Sequence, residues 1–273
     1  MNERSCFLHV SVHSQNIKTN FMKQSKLILI ALMLFGAQFS ASAQRKKVAV
    51  VTFYCDKWID MSGIGSDAAL LSSVATLAED PAFDIKKVLT KFHDVFFNEY
   101  AKQFPFDLLP ESEVIGDEKY KSFESYWDET ADKDQHKLMQ RYATVDGYKP
   151  LLEMWSKSEK RNEKRMLEIF GDKVDGVMFV YLDFSMVQKV AIGGTGAAGV
   201  NAFCRMKVWN KKGDKVFTIN ENAKSKGTVA VAGGIPIMKP EKVLPLCEDS
   251  ADQLMEDLRK RIEKIAAKSA EKL

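Results

Sequence analysis

Few residues in this chain could do chemistry, and the most suggestive of them form a glycine-rich run. Gly194-Thr195-Gly196-Ala197-Ala198-Gly199 has the G-x-G-x-x-G spacing of dinucleotide-binding enzymes. That spacing works because its glycines let the backbone approach a pyrophosphate held at the N-terminus of the following helix. Here Ala202, Cys204, Met206 and Val208 alternate with Phe203, Arg205, Lys207 and Trp209, which is the period of a strand. Asn210 to Asp214 then forms a turn where the helix should be half complete. The run therefore reads as a flexible glycine loop, Gly193, Gly194, Gly196 and Gly199, joining two strands, and no cofactor is assigned to it.

The other reactive residue types are sparse. Cys55, Cys204 and Cys247 are spaced 149 and 43 residues apart, which fits no short zinc motif. Each lies in or beside an apolar segment, so they read as buried free thiols, one disulfide with one spare thiol being the alternative in an oxidising compartment. His93, at the edge of a helical apolar stripe, reads as a structural histidine. The sequence contains no nucleophile elbow, Walker lysine loop, paired-histidine zinc helix or calcium loop. No catalytic, cofactor-binding or metal-ligating residue is assigned, and the chain is read as non-enzymatic.

The first 43 residues read as an address. Met22-Lys23-Gln24-Ser25-Lys26 is a short basic start, Leu27 to Phe35 an apolar core, and Ala41-Ser42-Ala43 the small residues of a cleavage site, with Ala41 and Ala43 at its specificity positions. The apolar core is too short to span a bilayer, and no later run of that character implies a transmembrane segment. Met22 is the expected translation start, because residues 1–21 carry no pattern. Since no cysteine follows the cleavage site directly, a lipid anchor is not expected, and the product is placed in the periplasm or outside the cell. Cleavage removes four of 40 basic residues and one of 37 acidic ones, leaving 36 of each. A balanced chain points to neither nucleic acid nor anionic lipid as partner, although a local basic patch can survive a neutral total.

The elements that must position any site follow from periodicity. Lys46 to Tyr54 is a buried first strand, and the loop Cys55 to Ser66 after it carries Asp56, Trp58, Asp60 and two glycines. Asp67 to Ala78 forms a short helix. Asp84 to Phe104 is a stronger one, with Ile85, Val88, Leu89, Phe92, Phe96 and Tyr100 in one stripe. A short strand, Phe106 to Leu109, and a polar segment lead into an irregular, aromatic-rich helical excursion at 120–155 that holds Tyr126, Trp127 and Trp155. After a helix over Lys157 to Phe170, Val177 to Leu182 is apolar on both faces and reads as a central strand, running to Ile192. Asn201 to Trp209 and Lys215 to Ile219 make a hairpin; prolines 236, 240 and 245 keep the chain irregular until a final helix at Asp249 to Ala267. Residues 44–273 are thus expected to form one α/β (α+β) domain, a mixed sheet of about five strands with an antiparallel C-terminal meander, flanked by helices.

That order resembles a group of bacterial envelope proteins: the periplasmic domain of the curli-secretion lipoprotein, the lipoprotein activator of a penicillin-binding protein, and the N-terminal domain of the Tol translocation protein. The matching stretches are Lys47 to Phe53, Phe106 to Pro110, Val174 to Val180 and the strand-turn-strand Cys204 to Phe217. The resemblance implies a three-layer domain that recognises other envelope proteins and does no chemistry; the chain departs from two of these relatives in lacking a lipidated cysteine. The expected function is that of an exported accessory protein binding an envelope protein partner through the loop after the first strand and the aromatic excursion. Trp58, Trp127, Trp155 and Tyr126 are the anchor candidates, because large aromatics dominate binding energy. A periplasmic small-ligand-binding protein using the same strand-end cleft is the alternative, and a hydrolase without a recognisable motif the third.

Overall fold

The computed structural model describes residues 45–64, 68–125, 141–153 and 161–269. Residues 46–273 form one compact unit. Its centre is a mixed sheet of eight strands: β1 (Lys47–Asp56), β2 (Asp107–Leu108), β3 (Tyr142–Thr144), β4 (Gly176–Ile192), β5 (Thr195–Asn210), β6 (Lys215–Lys224), β7 (Val229–Ala232) and β8 (Ile235–Pro236). The order is β2-β1-β4-β5-β7-β8, with β3 also pairing β1 and β6 also pairing β5. β1 is parallel to β2 and β4, and β4-β5-β6 is an antiparallel meander. The sheet thus has the expected mixed character, with very short strands accounting for most of the excess over five.

The two faces of the sheet bury different sets of side chains. On one, Val50, Phe53, Met178, Val180, Leu182, Ala202, Cys204, Met206 and Val208 pack under α2 (Lys86–Val95) and α6 (Pro240–Ser269). The stripe read from periodicity is wholly buried there, from Ile85 through Tyr100, and its last turns relax into wider and then tighter helical turns up to Gln103. On the other face, Val51, Val177 and Phe179 meet α3 (Glu111–Ile115), α4 (Glu118–Lys121) and α5 (Asn162–Phe170). α1 (Ala68–Glu79) contributes Val74 and Leu77 to the first core. Burial on both sides explains why β4 begins as an uninterrupted apolar run.

Two expectations need correction. The final helix starts at Pro240, nine residues before Asp249. Proline is suited to the first helical position, where its missing N–H costs nothing. Pro245 is tolerated because it lies in an exposed early turn, where water can reach the freed carbonyl. The loop expected at 193–199 is only two residues long. Gly193 and Gly194, at φ +56° and +82°, make the tight turn between β4 and β5, while Gly196 and Gly199 lie within β5. Positive φ at both central residues is what a two-residue hairpin of matching twist requires. A strand follows the glycines, as the alternation implied.

Cys55, Cys204 and Cys247 are buried and unbonded in the first core. Burial pushes all three thiols up, Cys204 to about 12. His93 is a packed residue: its ring lies edge-on to Phe53 at 5.0 Å, and Nε2 meets Glu111 Oε1 at 2.6 Å.

Candidate functional site

Beyond α5 the second face of the sheet opens into a cleft at the C-terminal end of β1, beside the middle of β4; the carboxyl end of a parallel strand is a common place for open α/β sheets to receive ligands. Strand alternation sends Tyr181, Asp183 and Ser185 from β4 into it, and Phe203, Arg205, Lys207 and Trp209 from β5, in register as Tyr181 with Arg205 and Asp183 with Phe203. The cleft comprises two adjoining hollows of about 450 and 470 Å³, which share Asp56, Asp183 and Arg205 in their walls.

The loop after β1 forms one wall. It continues alongside β4: the Asp60 N–H donates to Phe184 O at 2.8 Å, and the Met186 N–H donates to Asp60 O at 2.8 Å. Gly63 closes this approach, since a Cβ there would stand 2.7 Å from Met186 O. The loop is therefore a docked extension of the sheet and holds Trp58 at the rim, 38% exposed. β3 brings Arg141 beside it. The Arg141 guanidinium grips Asp56 through Nε and Nη2, with Nε at 2.8 Å from Oδ1, and lies 4.7 Å from the centre of the Trp58 ring.

The opposite wall is set by Thr52. Its buried hydroxyl donates to Lys149 O at 2.6 Å and accepts from the Leu151 N–H at 3.1 Å, pinning the segment that carries Glu153. Glu153 Oε2 accepts from Tyr181 Oη at 2.6 Å and pairs with Lys207. Tyr54 stacks on Tyr181 at 5.4 Å, and Arg205 lies over Phe203 at 4.7 Å.

Among the described residues, three buried polar atoms in this cleft find no hydrogen-bond partner: Glu153 Oε1, Trp209 Nε1 and Asn201 Oδ1. Leaving such atoms unpaired costs about 1–3 kcal/mol each. Behind Trp209, Arg161 lies over the indole at 5.8 Å, and its Nη1 stands 3.5 Å from Oε1 of buried Glu163. The Asp183 carboxylate makes no hydrogen bond to a described residue. Burial, against the opposing Arg205 and Arg141 and helped by Asp56 and Asp60, pushes its carboxyl up to about 6. The cleft thus offers aromatic faces, two guanidinium groups and unpaired donors and acceptors.

No family model matches the chain, and no curated protein matches it. Among solved structures, a hypothetical protein of Chlamydia trachomatis aligns over 82% of this chain and 99% of its own length, at 7% identity and a TM-score of 0.29. A likeness that low bears on neither fold nor function.

Of the anchor candidates, Trp58 lies at the cleft, whereas Tyr126, Trp127 and Trp155 fall outside the described residues, as do Ala41 and Ala43. Gly193 and Gly194 form a hairpin tip and line neither hollow. Sequence reasoning missed Asp183, Arg141 and Glu153. A single carboxylate inside the apolar run Val177 to Met186 was the available signal for Asp183. Nothing local marks Arg141, whose partner Asp56 is 85 residues away.

Proposed function

We propose that the chain is an exported, non-enzymatic accessory protein of the cell envelope, like the proteins its strand order resembles, and that it binds a protein partner in the strand-end cleft. The observation that carries this reading is an aromatic-walled, open trough whose walls hold buried polar atoms with no hydrogen-bond partner among the described residues: Glu153 Oε1, Trp209 Nε1 and Asn201 Oδ1. A peptide segment has the amide donors and carbonyl acceptors to satisfy them, and its side chains would lie against Trp58, Tyr181 and Phe203. Two of the acidic groups in the cleft are committed to holding its walls, Asp56 by Arg141 and Glu153 by Lys207 and Tyr181, and Asp183 is not. No transmembrane-capable helix occurs among the described residues.

The test is affinity capture from envelope extract with the wild-type chain, Trp58→Ala and Arg205→Ala. A partner recovered by the wild type and depleted with both variants is the expected result; equal recovery by all three removes the cleft as the binding site. The hollows also fall within the range of small-molecule sites, about 300–1,000 Å³, which supports a periplasmic ligand-binding protein as the second reading. A metabolite that raises the melting temperature of the wild type but not of Arg205→Ala would favour it.

A further inference from the structure

The far end of the β4-β5 hairpin carries a second surface, unlike the cleft in chemistry. Strands β4, β5, β7 and β8 run side by side there, and the pairing aligns two rows across them: Val190, Ala197, Ala230 and Ile237, then Ile192, Thr195, Ala232 and Ile235. Every member of these rows is apolar or a threonine. Residues that share a row lie on one face of the sheet. That face is open, with Ile192 74%, Val190 52% and Ile237 41% exposed, whereas Ala198, Val229, Val231 and Pro236 on the reverse side are buried. Gly193-Gly194 and Gly233-Gly234 are paired tight turns at its end, joined by the Gly234 N–H donating to Gly194 O at 2.9 Å, and a Cβ at any of the four would touch nothing.

The charge pattern says what such a face would meet. Residues 190–204 and 227–238 contain no charged side chain, and all four residues that bound these runs are basic: Lys189, Arg205, Lys226 and Lys239. Lys226 and Lys239 stand at the base of the tip, where the Lys189 ammonium is spent on Ser225 O and Asp249 on the Lys226 and Gly227 backbone N–H groups. An uncharged apolar face with amines at its margin matches the boundary between acyl chains and anionic headgroups, where lysine stems lie along apolar surface while their charge stays at the headgroups. The paired strand beyond the bulge at Lys189 is three residues long, Val190 to Ile192. That is far below the roughly 9–11 residues a strand needs to cross a bilayer.

We infer that the four-stranded apolar tip of the sheet docks on the surface of an anionic lipid bilayer, Val190, Ile192 and Ile237 entering the headgroup boundary and Lys226 and Lys239 meeting the headgroups. The overall neutrality of the chain conceals this local pattern. The surface is separate from the cleft and does not depend on the partner-binding reading.

The test is co-sedimentation of the full chain with phosphatidylglycerol-containing vesicles and with neutral phosphatidylcholine vesicles. Three proteins are compared: wild type, Ile192→Ser/Ile237→Ser, and Lys226→Glu/Lys239→Glu. All four replaced side chains are exposed, so circular dichroism should be unchanged. The wild type should partition into the anionic vesicles, and the serine variant should partition at least about tenfold more weakly, as expected for losing two apolar anchors. The glutamate variant should lose the preference for anionic over neutral vesicles. Absence of wild-type binding overturns the inference, as does undiminished binding of the serine variant, which would point to the apolar segment Leu27 to Phe35. Self-association of the wild type that the serine variant abolishes, without vesicle binding, would assign the face to a second copy and equally overturn it.

Discussion

Asp183→Asn is the sharpest perturbation of the cleft, because it removes an ionisable group while keeping the shape of the side chain. In the folded chain the Asp183 carboxyl is pushed from its ordinary 3.8 to about 6, burial being the main cause and Arg205 the main opponent. Below about pH 4 both folded and unfolded chains hold the proton, and the group contributes no difference. As pH rises from about 4 to 6 the unfolded chain ionises first, so folding must retain a proton or bury a charge, and native stability falls. Above pH 6 the deficit is complete. Two pH units at ~1.4 kcal/mol each give roughly 3 kcal/mol, and solvent at the open mouth of the cleft trims this to about 1–3 kcal/mol. The asparagine variant should therefore equal the wild type at pH 4 and exceed it at pH 7.5. In urea unfolding a gain of that size moves the midpoint by roughly 0.5–1 M. Taking the difference between the two proteins at each pH cancels the groups they share, including Glu111 and Asp117, whose pKa values are lowered. A difference that is flat from pH 4 to 7.5, or one that favours the wild type as pH rises, would refute the assignment of a half-buried carboxylate that makes no hydrogen bond to a described residue.

Three further expectations concern the frame around the cleft. Gly63→Ala should lower stability by about 1–3 kcal/mol and weaken any cleft binding, since the new Cβ would stand 2.7 Å from Met186 O and push the loop off β4; urea unfolding reads the first effect and titration with a captured partner the second. Tyr120→Phe should cost about 1–3 kcal/mol in urea unfolding, because the Tyr120 hydroxyl donates to Val51 O at 2.8 Å and accepts from the Lys149 N–H at 3.0 Å in a buried position. In the His93–Glu111 pair, burial pulls the histidine pKa down but the Glu111 hydrogen bond and charge outweigh it, leaving it raised, while the Glu111 pKa is lowered. The histidine contribution is full below about 6.5 and lost as pH rises through its folded value; the glutamate contribution is present above about 4.5 and lost as pH falls. Glu111→Gln should therefore destabilise most between pH 4.5 and 6.5, with a smaller loss at pH 8, measured by thermal unfolding across that range.

What the sequence made legible was what local period controls. The stripe from Ile85 to Tyr100 and the alternation from Ala202 to Trp209 each occupy the predicted faces, because a single helix or strand decides them. The tip was misread where glycines could belong to a loop or to a strand: Gly196 sits in β5 because β4 and β7 pair with it on both sides, and Gly199 because β4 pairs with it, which are tertiary facts. The cleft was partly legible. Trp58 was singled out, and the half-wet face of Arg205, Lys207 and Trp209 was recognised without a purpose. The pairs Arg141 with Asp56 and Lys207 with Glu153 join segments 85 and 54 residues apart, and no periodicity encodes such meetings.

The three buried cysteines give the molecule an internal clock for its own opening. Each thiol is enclosed and held far from its reactive thiolate form, so an alkylating reagent can reach it only when the surrounding packing parts. Cys55 reports on β1, Cys204 on the middle of the meander and Cys247 on the first turns of α6. If the long helix peels away before the sheet separates, Cys247 will be modified at a rate set by that partial opening, while Cys55 and Cys204 share the slower rate of global unfolding. Equal rates at all three would mean that helix and sheet come apart as one cooperative unit.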